Sequence, residues 1–210
     1  MSKAELEIYL AAAEEHYKLL QVWFWDECSY SLKVIRRKQW ARRGKPKKVS
    51  GQRGRGNVNV MGAIRHYDKK VKTSFIEKGD SNTFYEGLKN LYNAIKTEWI
   101  MQGGLASTFK RAGPRLVVVL DNASYHCTLS VLQKVRKEMP NLHLYFLPAY
   151  SPDMNMMELV WHSSKEYIAN RLFRNKEELK DLINRLLNRG ELKIDWGRRI
   201  KNKGNSINAS

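Results

Sequence analysis

The run Leu116-Val-Val-Val-Leu-Asp121 constrains this chain more than any other segment: an unbroken apolar stretch closed by a carboxylate. A strand that is apolar on both faces needs cover on both faces, which is what a central strand of an α/β sheet receives. Val22-Trp-Phe-Trp-Asp26, aromatic and β-branched, reads as a second buried strand ending in an acid. Leu142-His-Leu-Tyr-Phe-Leu147 reads as a third. Residues 57–66 and 70–77 alternate apolar and polar side chains about Tyr67-Asp68-Lys69, the pattern of a hairpin.

Helical spacing fills the intervals. Leu6, Tyr9, Leu10, Ala13, Tyr17 and Leu20 predict a helix over 3–20. Phe84, Leu88, Leu91, Tyr92, Ile95 and Trp99 share a face of a helix that opens at Ser81. Leu129, Leu132, Val135 and Met139 mark another, stopped by Pro140, and further helices are expected at about 156–173 and 176–188. Early antiparallel strands followed by alternating helices and strands predict one α/β domain: a mixed five-stranded sheet flanked by helices on both faces.

Charge narrows the partner. Lys and Arg number 38 against 21 acidic residues, a net +17 over 210 residues, which favours a polyanion. Residues 36–56 concentrate this charge: ten of the 21 are Lys or Arg, none is acidic and four are Gly. With Trp40 among the charges, the segment reads as a long basic loop that builds no core. No apolar run reaches the roughly 20 residues of a membrane span, and the start lacks the basic-then-apolar pattern of a signal peptide. Cys28 and Cys127 form no CxxC pair, which argues against a zinc ribbon or disulfide scaffold and for an intracellular, reduced protein.

Asp26 and Asp121 end strands expected inside the sheet, where an ionised carboxylate is expensive unless a cation or donor meets it. Turn chemistry is the plain alternative, with Asp121-Asn-Ala-Ser serving the residues after the strand. Glu158 is the third acid, and Asn155-Met-Met-Glu158 equally fits a helix cap. Oxygen ligands without nearby His or Cys suit Mg²⁺ or Mn²⁺ rather than zinc, and such sites perform phosphoryl chemistry.

Four segments occur in order: Phe24-Trp-Asp-Glu-Cys28, Trp40-Ala-Arg-Arg-Gly44, Val118-Val-Leu-Asp-Asn-Ala-Ser-Tyr-His126 and Pro148-Ala-Tyr-Ser-Pro-Asp-Met-Asn-Met-Met-Glu-Leu-Val-Trp161. Together they resemble the catalytic domain of DDE transposases of the mariner type, in particular the bacterial insertion-sequence branch. Thirty-six residues separate Asp121 from Glu158, a spacing like the family's. Met156 departs from the proline common there, a change at the helix start that leaves the acids untouched.

The resemblance implies a ribonuclease H-like fold over 21–190, while the sequence pattern itself adds a leading amphipathic helix at 1–20 and a basic tail at 191–210. The resemblance also implies that Asp26, Asp121 and Glu158 bind two Mg²⁺ or Mn²⁺ ions for cleavage at transposon ends and transfer of the 3′-hydroxyl to target DNA. Asn122 and His126 match family positions that orient the second aspartate or touch phosphate, with a backbone-bonded turn residue the alternative for His126. Trp161 packs the third acid's helix on the sheet, while Glu27 faces away from Asp26 and Asp153 caps or turns the chain. Arg36, Arg37, Lys38, Trp40, Arg42, Arg43, Lys45, Lys47, Lys48, Arg53 and Arg55 would meet DNA and a second subunit of a homodimer. Family members carry helix-turn-helix units ahead of this domain, so the resemblance implies a split-frame product, a truncated copy or an excised domain. A cytoplasmic, nucleoid-associated protein of prokaryotic source is the matching expectation. Its rivals are a catalytically silent DNA-binding remnant that regulates full-length protein, and a generic nuclease of RNA–DNA hybrids.

Overall fold

The computed structural model describes residues 3–34, 43, 45, 53–148 and 151–196. Five strands form one sheet: β1 (Leu20–Lys33), β2 (Arg53–Arg65), β3 (Val71–Ile76), β4 (Arg115–Leu120) and β5 (Leu142–Phe146). Their order is β3-β2-β1-β4-β5, antiparallel across the first two pairings and parallel across the last two. The mixed sheet expected from the strand pattern is therefore present.

Helices cover both faces because the central strands β1 and β4 are apolar on both. Val22, Phe24, Val117 and Val119 pack beneath α1 (Lys3–Glu15), α5 (Met157–Ile168) and α6 (Lys176–Leu187). Trp23, Trp25, Leu116, Val118 and Leu120 pack beneath α2 (Ser81–Met101), the short α3 (Phe109–Ala112) and α4 (Leu129–Glu138). Leu6 and Ala13 are buried in the first of these cores, so α1 is part of the domain's packing. Side chains cap α2 and α6: Asp80 accepts from Thr83 N at 2.9 Å and Asn175 from Glu178 N at 2.9 Å. Buried Arg65 ties the β2–β3 turn to α2 through Asp68 at 2.6 Å and Glu98 at 2.9 Å, with Trp23 and Tyr67 against its guanidinium.

Four expected boundaries move, each for a local reason. β1 does not end at Asp26 but runs on to Lys33, because Cys28, Tyr30 and Leu32 continue the buried alternation. α1 stops at Glu15 rather than residue 20, since Leu20 enters β1 opposite Arg115. α5 stops at Ile168 rather than residue 173, with Asn170 left-handed at φ 61° just beyond it. β2 begins at Arg53, so Arg53 and Arg55 stand on a strand and not in the basic loop assigned to 36–56. Arg36, Arg37, Lys38, Trp40, Arg42, Lys47 and Lys48 lie outside the described residues, while Arg43 and Lys45 are exposed.

Candidate active site

β1 and β4 run parallel with Val22 beside Val117 and Phe24 beside Val119. Two residues further along, the continuation of this register brings Asp26 beside Asp121, which directly follows β4, and strand alternation puts Asp26 on the α5 face. Neighbouring strands lie about 4.8 Å apart, so this end of the sheet gathers the two acids without any special loop.

Asp26 is held from two directions. Its Oδ1 accepts from Glu27 N at 2.9 Å and its Oδ2 from Trp161 Nε1 at 3.1 Å. Trp161 reaches it because Gly62 is Asp26's partner across the β1–β2 ladder. A Cβ at Gly62 would stand 2.9 Å from the Trp161 ring and 3.0 Å from the Met157 methyl, so the missing side chain is the seat of α5. Glu158 lies in the first turn of that helix. Asn155 fixes the turn: its Nδ2 donates to Trp25 O at 2.9 Å and its Oδ1 accepts from Met157 N at 3.1 Å. The N-cap position falls on Met156, whose side chain caps nothing, so the capping box expected of Asn155 and Glu158 is not formed; Asn155 instead bonds Met157 N two residues on, and the same amide clamps α5 to β1.

The acids feel one another. Burial, then the charge of Glu158, with Glu27 and Asp121 adding to it, pushes the Asp26 carboxyl up to about 7 against the opposing Glu27 N–H bond. Asp121 shifts the other way. His126 beside it, helped by the Ala123 N–H bond and opposed by burial, holds its carboxyl below the usual range. Oδ1 of Asp121 accepts from Ala123 N at 3.2 Å and lies 2.9 Å from His126 Nδ1, an ion-pair distance off the line of a good hydrogen bond. His126 is 1% exposed, and its Nε2 lies 3.2 Å from Glu27 Oε1. Burial works against the imidazolium, but the Asp121 and Glu27 carboxylates together push it up to about 9. Glu27 Oε1 also accepts from Trp25 Nε1 at 3.1 Å.

His126 and Trp161 therefore touch the two aspartates directly. Asn122 turns its side-chain oxygen to Cys127 Sγ, 3.1 Å away. Asp153 is exposed in the 3-10 turn Pro152–Met154. The Glu27–His126 contact, the Gly62 seat and the Asn155 clamp carry no local sequence signal, since each joins segments far apart in the chain. Among the described residues no group of three His, Cys, Asp or Glu side chains stands close enough to hold a metal ion as placed. Asp26 and Asp121 instead direct oxygens to Trp161, Glu27 N, Ala123 N and His126. The donor chemistry nonetheless fits a hard divalent cation: the facing groups are all carboxylates, and their mutual repulsion is what a cation relieves.

A mixed five-stranded sheet in this order, flanked by helices and carrying acids on its two central parallel strands, defines the ribonuclease H-like class. The family model for DDE superfamily endonucleases matches residues 21–180, and the chain belongs to that family. It is similar in fold to the Mos1 mariner paired-end complex with Mn (TM-score 0.63, 17% identity, 89% of this chain and 53% of that one). A similar match is the Mos1 transposase paired-end complex with left transposon end (TM-score 0.61, 19% identity, 89% and 53%). The Mos1 catalytic domain alone gives TM-score 0.59 at 16% identity over 89% of this chain and 78% of that one. An uncharacterized protein y4pE/y4sA of Sinorhizobium fredii (strain NBRC 101917 / NGR234) is 32% identical over 68 residues, 32% of this chain and 47% of the relative. The chain thus spans about half the length of that relative and of the full Mos1 chains.

Proposed function

We propose that this chain is the catalytic domain of a DNA transposase, performing divalent-metal-dependent strand cleavage and strand transfer. Asp26, Asp121 and Glu158 are its metal ligands. The observation that carries the reading is the DDE endonuclease match over residues 21–180, within which the parallel β1–β4 register brings Asp26 beside Asp121 and the charge of Glu158 reaches Asp26. Asp26 lies within electrostatic reach of Glu158 and Asp121, in a family of DDE endonucleases. Mg²⁺ or Mn²⁺ bound there, as a pair in this reading, would stabilise the attacking and leaving oxygens of an in-line displacement. The chain's own part is to hold the acids. Trp161 and Glu27 N orient Asp26, His126 and Ala123 N orient Asp121, and Asn155 sets the first turn that presents Glu158.

DNA is the substrate of this reading, met by the basic segment 36–56 and the neighbouring strand arginines. A homodimer in the DNA complex and a nucleoid-associated role in a prokaryote complete it. No helix among the described residues is long and apolar enough to cross a membrane. The test incubates labelled duplex carrying candidate element ends with Mn²⁺ or Mg²⁺, beside an Asp121→Ala control. Metal-dependent nicking or joining is expected from the unaltered protein, with a loss of at least roughly 100-fold in the variant. Equal DNA binding by both proteins, with no cleavage under either metal, overturns the enzyme and leaves a silent DNA-binding remnant.

A further inference from the structure

Asp121 lies one residue beyond β4, where the sheet no longer fixes the chain, and its side chain is 59% exposed. A carboxylate so placed rotates freely unless something holds it. Both protein groups that meet it converge on the same oxygen: Ala123 N and His126 Nδ1 each address Oδ1. His126 is itself immobile. It is 1% exposed, with its ring centroid 4.2 Å from that of Phe84 and 4.3 Å from that of Tyr125. Its second nitrogen meets Glu27 Oε1, the oxygen that Trp25 Nε1 also addresses. The result is a continuous line from Trp25 through Glu27 and His126 to Asp121.

We infer that Glu27 and His126 act as one positioning pair that fixes the orientation of the Asp121 carboxylate by committing its Oδ1 to the protein. The inference rests on the metal-binding reading above and deepens it by assigning Glu27, which touches no metal, to the same job. Adjacent residues on β1 divide the work by strand alternation. Asp26 faces α5 and receives Trp161, while Glu27 faces α2 and reaches His126. Each aspartate is thereby steadied from a different face of the sheet. Groups that hydrogen-bond a metal's ligands set ligand orientation, and their loss weakens metal affinity by roughly 10–100-fold.

Mn²⁺ affinity of the full chain, followed by the EPR signal of the free ion, tests the pair, with thermal melting in EDTA as the control for folding. Glu27→Gln keeps the shape and an oxygen for both Trp25 and His126 while removing the charge. Its melting temperature should stay close to the unaltered protein's, while Mn²⁺ binding weakens several-fold. His126→Gln should weaken Mn²⁺ binding by roughly 10–100-fold, and the double variant should be no weaker than His126→Gln alone, as for groups acting in series. Mn²⁺ affinity unchanged in folded Glu27→Gln, or effects of the two substitutions that simply add, overturns the pair. Should the unaltered protein bind Mn²⁺ in an Asp121-dependent way with both variants indistinguishable from it, the pair alone fails. If the unaltered protein binds no Mn²⁺ at all, the metal-binding reading fails with it.

Discussion

Asp26 shows at the scale of one residue why a site of this kind works against the fold that carries it. Its carboxyl is pushed up to about 7 by burial first, and then by neighbouring acids. In the unfolded chain the same group titrates near 3.8. The folded protein therefore holds an extra proton between these values, and metal-free stability declines as pH rises from about 4 to about 7. The penalty is absent below the lower value and complete above the upper one, on the order of 4 kcal/mol. Asp26→Asn removes it while sacrificing part of the bond to Trp161, a loss of about 1 kcal/mol. In EDTA at pH 8 the variant should melt roughly 6–12 °C above the unaltered protein, and the gap should close and slightly reverse as pH falls to 4. Comparing the two proteins across pH isolates Asp26 from every other titrating group. A constant gap across that range would show that the carboxyl is not perturbed. That the acid mattered was legible in sequence, because a carboxylate closing an aromatic run needs a counterpart; what that counterpart was, Trp161 from α5, was not.

At the scale of elements, legibility followed the range of the interaction. The strand β4, the β2–β3 hairpin and the apolar face of α2 announce themselves through local periodicity, and all three are present, β2 reaching back beyond the alternating stretch to Arg53. β1 was harder, because Asp26 interrupts an apolar run although Cys28, Tyr30 and Leu32 resume the buried alternation beyond it. Helical spacing at Tyr17 and Leu20 was coincidental, Leu20 belonging to the next element. The seat of α5 had no local signature at all. Gly62 matters only through its pairing with Asp26 and the helix above it, and nothing in Val60-Met-Gly-Ala-Ile64 reveals either. Gly62→Ala places a methyl where Trp161, Met157 and Thr73 atoms already stand at 2.9–3.0 Å. The rigid indole cannot yield as a flexible chain end would, so α5 must lift. A destabilisation of about 1–3 kcal/mol is expected from the overpacking. Nicking should fall roughly 10–100-fold below the melting temperature, since Glu158 and the Trp161–Asp26 bond move with the helix. Melting and single-turnover nicking on the same preparation check both, and unaltered nicking would mean that the seat does not set the site.

For the whole molecule, the sheet topology explains where the positive charge goes. β4 ends at Leu120 and β3 pairs with β2 only as far as Asn59, yet β1 and β2 stay paired from Tyr30–Val58 to Lys33–Arg53, so a two-stranded arm runs on past the acids. The basic segment leaves from the tip of that arm, with Lys33 and Arg53 paired across its end and Arg55 exposed nearby. A net charge of +17 is not spread evenly along the chain, because ten of the 38 basic residues fall within 36–56, a short way beyond Asp26 in sequence. Polyanion binding by such an arm is dominated by counterion release, each neutralised phosphate adding about 0.9 to the slope of log K against log salt. If six arm and loop cations meet phosphates, the slope for duplex DNA should be about −5. Replacing Arg53 and Arg55 together with alanine should flatten it by roughly 2, with the fold intact because Arg55 is exposed and both stand at the strand's end. Fluorescence anisotropy of a labelled duplex in EDTA, titrated from low to physiological salt, measures both slopes without cleavage. A slope near −1 would place DNA elsewhere on the molecule, and a steep slope untouched by the double substitution would move the contact from the arm to another basic face.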